Sequence, residues 1–187
     1  MSITKNMKHF LVLLLILLMS CQNSNEIKEI EILTYFTNAR NFIIYSNTTK
    51  NGFTQTLFKS QTSDFVDNYQ TRINKRLMDS IVVICKNKTK TDFVFKTSKR
   101  IWYCGLWHKV QITYENGKKL NFAYPYSNNE NKQFIPFQLL SEQIKKDSLH
   151  ATRLNIGQLG SIYLKQEDFS NAIFKEDSLF NWKKKHE

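Results

Sequence analysis

The chain has 187 residues, 41% of them hydrophobic, and a formal net charge of +11, which suits one packed core and is short for two. With 5 Gly and 2 Pro there is no Pro- or Gly-rich linker at which to divide it, and little material for the tight backbone turns of a phosphate-cradling loop. The basic excess lies in 22 Lys against 5 Arg, beside 18 Asn; it is spread along the chain and lacks the Arg forks that phosphate readers use, so it reads as AT-rich coding bias and no nucleic-acid partner is expected.

Residues 1–20 place Lys5 and Lys8 before an apolar run at 10–19, followed by Ser20 and Cys21. Ten apolar residues are about half of the ~20 that a membrane-crossing helix needs, so this is the core of a signal peptide and not a lasting span. Leu18-Met19-Ser20-Cys21 resembles the lipobox of bacterial lipoproteins. That resemblance implies cleavage before Cys21 and a lipid anchor on its sulfur, with palmitate-type acyl chains. It also implies a cell-envelope address, and Gln22 after the cysteine, where an Asp would favour inner-membrane retention, makes the outer membrane the expected one, facing periplasm or surface. Two or three acyl chains hold a protein far more firmly than the reversible attachment of one. Loss of Lys5 and Lys8 with the signal lowers the charge from +11 to +9. Residues 21–26 are polar and suit a tether, and 27–187 then form a single α+β domain.

Residues 27–37 alternate apolar and polar positions with β-branched and aromatic content, which predicts a strand. A second strand at 41–46, an Asn51-Gly52 turn and a third strand at 53–59 complete an antiparallel meander. Phe65, Tyr69, Ile73 and Leu77 recur every four residues after Ser63 and Asp64, predicting an amphipathic helix over roughly 63–78. Residues 80–85 form an apolar run, and with 92–95 they read as a β-hairpin.

The most aromatic segment, 101–108, leads into a strand at 110–114, an Asn116-Gly117 turn and a returning strand at 120–124. Pro136 opens a helix whose inner face carries Phe137, Leu140 and Ile144, ending near residue 149. The expected fold is therefore an antiparallel sheet built from two ββα-like units, at 42–78 and 110–149, with amphipathic helices on one face and a helical C-terminal tail over 152–187. Within that tail Leu159, Gly160, Tyr163, Phe169 and Ala172 fall at spacings that resemble one tetratricopeptide repeat, a helix-turn-helix unit; a lone helical pair capping the sheet is the alternative.

Beyond Cys21 two cysteines remain, Cys85 and Cys104. In an oxidising envelope they are candidates for a disulfide, whose loop of about 20 residues would contribute roughly 3 kcal/mol in a chain-entropy treatment; two buried thiols are the alternative. Cys104 and His108 are four apart, but on a strand they would stand some ~13 Å from each other, too far to act as a pair. His108 reads as a residue at the end of a strand. No metal-ligand spacing and no nucleophile motif occurs, so no metal, cofactor or catalytic residue is expected. Trp102, Trp107, Tyr114 and Tyr124 form the candidate ligand or partner surface, since exposed aromatics stack on sugars and anchor proteins. The expected function is a non-enzymatic binding or structural module, tied to the membrane by its lipid, with an envelope protein or glycan as partner. An immunity- or inhibitor-type lipoprotein is the alternative, followed by an envelope-polymer hydrolase.

Overall fold

A computed structural model describes residues 25–36, 42–59, 66–94, 105–126, 131–147 and 151–176. Six strands lie among them: β1 (Ile27–Phe36), β2 (Phe42–Thr49), β3 (Phe53–Lys59), β4 (Val66–Arg72), β5 (Leu106–Tyr114) and β6 (Lys119–Pro125). They form one antiparallel sheet in the order β4-β3-β2-β1-β5-β6. Three helices accompany them, α1 (Lys75–Cys85), α2 (Ile135–Asp147) and α3 (Ile156–Glu176), with short 3₁₀ turns at Lys90–Phe93 and Lys132–Phe134.

β1 sits at the centre because it is apolar on both faces. Ile30 and Ile32 point to one side, Leu33 and Tyr35 to the other, and all four are buried. Its neighbours return through matching turns, Lys50-Asn51-Gly52 and Glu115-Asn116-Gly117. In each the glycine adopts the left-handed region, φ +77° at Gly52 and +79° at Gly117, as the third residue of a three-residue hairpin loop requires. The two turns flank β1 side by side, and the Lys50 ammonium meets the Glu115 carboxylate at 2.8 Å.

The helices occupy both faces of the sheet. On one, Met78, Ile81 and Cys85 of α1 and Phe137, Leu140 and Ile144 of α2 cover Ile30, Ile32, Val110, Ile112, Leu120 and Phe122. An aromatic stack joins them, with Phe93 on Phe122 at 4.3 Å and Phe134 on Tyr124 at 4.7 Å between ring centroids. Such pairs contribute about 0.5–1.5 kcal/mol each beyond their burial. On the opposite face Ile162 and Phe169 of α3, with Leu154 before it, pack on Leu33, Tyr35, Tyr45 and Leu57. The two amphipathic helices α1 and α2 thus share one face and the tail helix α3 covers the other, because β1 presents apolar side chains on both sides. No helix among the described residues is long and apolar enough to cross a membrane.

The strands expected at 27–37, 53–59 and 120–124, the Asn-Gly turns and the α2 inner face are found. The segment 63–85 differs. Residues 66–72 form β4, an edge strand paired with β3 from Phe53↔Arg72 to Lys59↔Val66, and not a helix. The helix begins later, capped by Asn74, whose side chain accepts from Arg76 N at 2.8 Å. It takes in Ser80-Ile81-Val82-Val83-Ile84-Cys85, the run expected as a hairpin arm, and Val83 is 72% exposed, as an amphipathic helix allows and a doubly buried strand does not. The returning arm at 92–95 is likewise replaced, over the described part, by the 3₁₀ turn at Lys90–Phe93. Over the described part of the tail, the suggested helix-turn-helix is replaced by one continuous helix, α3.

Candidate functional site

Among the aromatic positions read as a binding surface, Tyr114 and Tyr124 are buried on the α1 and α2 face of the sheet. Trp107 is half-buried beside the α3 cluster on the opposite face. Strand alternation enforces this separation: Tyr124 stands across from His108, and Trp107 across from Pro125, so neighbouring pairs point to opposite sides. The three described members therefore do not form a shared exposed patch. Trp102, Cys104 and Cys21 lie outside the described residues. Cys85 closes the inner face of α1, its thiol pushed up to about 12 by burial, with its carbonyl accepting from the Tyr114 hydroxyl at 3.3 Å.

The position that gathers chemistry is His108. It is not a strand-end residue: it lies inside β5, 2% exposed, on the same face as Val110 and Ile112. Its Nδ1 is 2.8 Å from Thr34 Oγ1 on β1, a contact in which either atom can donate. The rings of Tyr124 and Tyr126 flank the imidazole at 5.2 Å each. Its Nε2 has no hydrogen-bonding partner among the described residues. With so little solvent around it, burial pulls the imidazole pKa down to about 4, so the ring is neutral near pH 7 and offers one nitrogen as donor or acceptor.

His108 is one of the residues that line a cleft of about 270 Å³ between the sheet and α2. Its walls are apolar: Ile32, Ile43, Ile44, Phe58, Leu106 and Ile144. Thr34, Ser46 and Ser141 add hydroxyls, and Lys145 of α2 and Tyr126 stand at its edge. The exposed Phe58 and Tyr126 mark the mouth, the buried His108 the floor. The cleft forms because β2 and β3 turn small polar side chains, Ser46, Thr54 and Thr56, toward a face that β1, β5 and β6 fill with bulky ones. Chemically the arrangement provides an apolar chamber with one hydrogen-bonding nitrogen at its base, the usual composition of a small-molecule site.

A second polar cluster lies under α3. Glu31 is buried and accepts from the Tyr45 hydroxyl at 2.6 Å and from Gln111 Nε2 at 2.5 Å. Burial holds its carboxyl above the usual range, against those two hydrogen bonds. The neighbouring Glu29 takes Lys165 of α3 at 2.6 Å and Asn47 at 3.1 Å; these contacts outweigh its desolvation and leave its pKa lowered. Every polar group named here has a partner, so the cluster fastens α3 to the sheet. Among the described residues no three His, Cys, Asp or Glu gather closely enough to hold a metal ion.

The sequence did carry a signal for His108. Its parity with Val110 and Ile112 along one strand puts it on the inward face. The cleft above it depends on which strands become neighbours, and no local pattern reports that. No family model matches the chain, and no curated protein matches it in sequence.

Proposed function

We propose that this protein is a lipid-anchored binding module of the bacterial cell envelope, without catalytic activity, held to the membrane through Cys21. The anchoring half of the reading rests on Leu18-Met19-Ser20-Cys21 behind a short apolar core. The binding half rests on one observation: a cleft open at its mouth, apolar in its walls, with the unpaired Nε2 of a buried histidine at its floor. A buried polar atom without a partner costs about 1–3 kcal/mol, a cost a fold accepts most readily where a ligand repays it. The tether at 21–26 gives the domain reach above the lipid surface, with the outer membrane as the expected location.

A second reading, an immunity- or inhibitor-type lipoprotein that blocks a protein partner, is favoured by the outer side of α3, where Ile156 is 91% and Leu164 66% exposed. In the finer description of the fold, β5, β6 and α2 make one ββα-like unit and α3 the helical tail; between β3 and α1 the other unit carries the extra strand β4.

Replacing Cys21 by Ala tests the anchor. The wild-type chain should sediment with membranes and carry a diacylglyceryl mass at its N-terminus, and the variant should move to the soluble fraction. A wild-type protein with an intact, unmodified leader would overturn the envelope reading.

A further inference from the structure

We infer that the cleft between the sheet and α2 binds a small uncharged amphiphile of about ten non-hydrogen atoms, its single hydroxyl or carbonyl bonded to His108 Nε2 and its apolar body running toward Phe58 and Tyr126. This ligand class rests on the binding reading above, though not on the lipid anchor.

Size comes first. A cleft of about 270 Å³, at the ~30 Å³ that one water occupies in the liquid, takes about nine or ten non-hydrogen atoms. That lies just below the range of drug-sized pockets and excludes a full phospholipid or an oligosaccharide.

Polarity follows from the lining. The walls are mostly aliphatic and aromatic, and two buried polar atoms of the lining residues have no partner among the described residues, Nε2 of His108, on a ring 2% exposed, and Oγ of Ser141. Thr34 already holds Nδ1, which fixes the ring and leaves Nε2 for the ligand. The Thr34 contact runs in either direction, so Nε2 is a donor in one tautomer and an acceptor in the other. A hydroxyl satisfies both and a carbonyl only the first.

Charge separates the classes. An anion at the floor would be desolvated beside a neutral ring, and the lysine of the lining, Lys145, lies on the exposed side of α2 at the edge. Burying a charge without an adjacent counter-charge costs far more than one hydrogen bond returns. An uncharged head group therefore wins over a carboxylate of the same length.

The test uses the full chain carrying Cys21→Ala, in detergent-free buffer, with displacement of the probe fluorobenzene, small enough for the cleft and followed by its ¹⁹F resonance, by nonan-1-ol, nonane and nonanoate. Nonan-1-ol should displace the probe, nonanoate should be at least tenfold weaker, and Ser46→Phe, which fills the cleft, should abolish displacement by all three. His108→Phe should weaken nonan-1-ol relative to nonane by about 2- to 10-fold, the share of one net hydrogen bond. Independently of that variant's folding, the imidazole ¹⁵N resonance of His108 should shift on adding nonan-1-ol and stay in place with nonane. Failure of every compound to displace or shift anything would sink the binding reading itself. Displacement that survives Ser46→Phe, an alcohol-to-alkane ratio unmoved by His108→Phe, or tighter binding of nonanoate would leave binding intact and overturn this ligand class.

Discussion

Lowering the pH from 7 to 4 forces a proton onto His108, and the fold is built against it. An unfolded histidine titrates near 6.5, whereas the buried ring titrates at about 4. The folded state therefore binds fewer protons between those values, and the stabilising contribution, complete above about 6.5, is lost as pH falls toward 4. At roughly 1.4 kcal/mol per pKa unit the loss amounts to about 3 kcal/mol. That is a large part of the ~5–15 kcal/mol that stabilises a typical domain. The groups against the ring are Thr34 from β1 and Tyr124 and Tyr126 from β6 and its end, while the exposed Lys145 of α2 lines the same cleft. None is a carboxylate that would offset the new charge. Glu29 and Asp92, whose pKa values are lowered by their partners, also lose stabilisation on acidification. The comparison must therefore be made against His108→Phe, which keeps a ring and removes the titration. Urea unfolding followed by circular dichroism at pH 7, 6, 5 and 4 should show the wild type losing about 3 kcal/mol more than the variant, most of it below pH 6. Parallel curves, differing by less than about 0.5 kcal/mol at every pH, would mean that the ring is solvated or paired on protonation, and the reasoning would fail.

Four further outcomes are expected. A Cβ at Gly52 would lie 2.7 Å from the Ile73 carbonyl oxygen while φ is +77°, so Gly52→Ala should cost about 2 kcal/mol or more, whereas Gly117→Ala, with open space around it, should cost about 1; equal effects in chemical unfolding would refute the close approach. Glu31→Gln removes a desolvated charge and retains an acceptor for Tyr45, so stability at pH 7 should hold or rise. Because the carboxyl pKa of Glu31 is raised on folding, the wild type should gain on that variant as pH falls through the carboxylate range, and a loss above about 2 kcal/mol at pH 7 would contradict this. Phe169→Ala empties the contact of α3 with Tyr45, whose ring centroid lies 6.1 Å away. It should cost about 3–5 kcal/mol and raise amide exchange in α3 before the sheet; protection unchanged in α3 would disprove its docking there. Cys85, buried with its thiol near 12, should resist iodoacetamide after reduction in the folded protein and react once denaturant is added; rapid native labelling would show that α1 does not close over it.

The hairpins were legible because their determinants are local. Lys50-Asn51-Gly52 and Glu115-Asn116-Gly117 each bring the glycine that a left-handed loop position needs, and the flanking alternation sets which side chains point inward. Inward parity also located Phe137, Leu140 and Ile144, since a helix repeats on its own period regardless of what it covers. The segment 63–85 was misread for the opposite reason. Phe65, Tyr69, Ile73 and Leu77 keep a helical spacing, yet 66–72 find seven paired positions on the open edge of β3, and that pairing outweighs a weak local preference. The apolar run at 81–85 is too short for its own period to decide between strand and helix. Its context decided: Asn74 caps it, and β4 already occupies the edge it would have taken.

Residue order alone therefore determined the antiparallel strands of the described sheet other than β4, and both Asn-Gly turns. Those are readings of contiguous stretches, where the chemistry acts between neighbours in the chain. The cleft, the isolation of Trp107 from Tyr124, the burial of Glu31 and the division of the helices between two faces were decided by the tertiary structure. The cleft and the docking of α3 depend on residues far apart in the chain, such as Thr34 with His108, 74 positions apart, and Glu29 with Lys165, 136 apart. Contacts at that separation are fixed only when strand order and register are fixed.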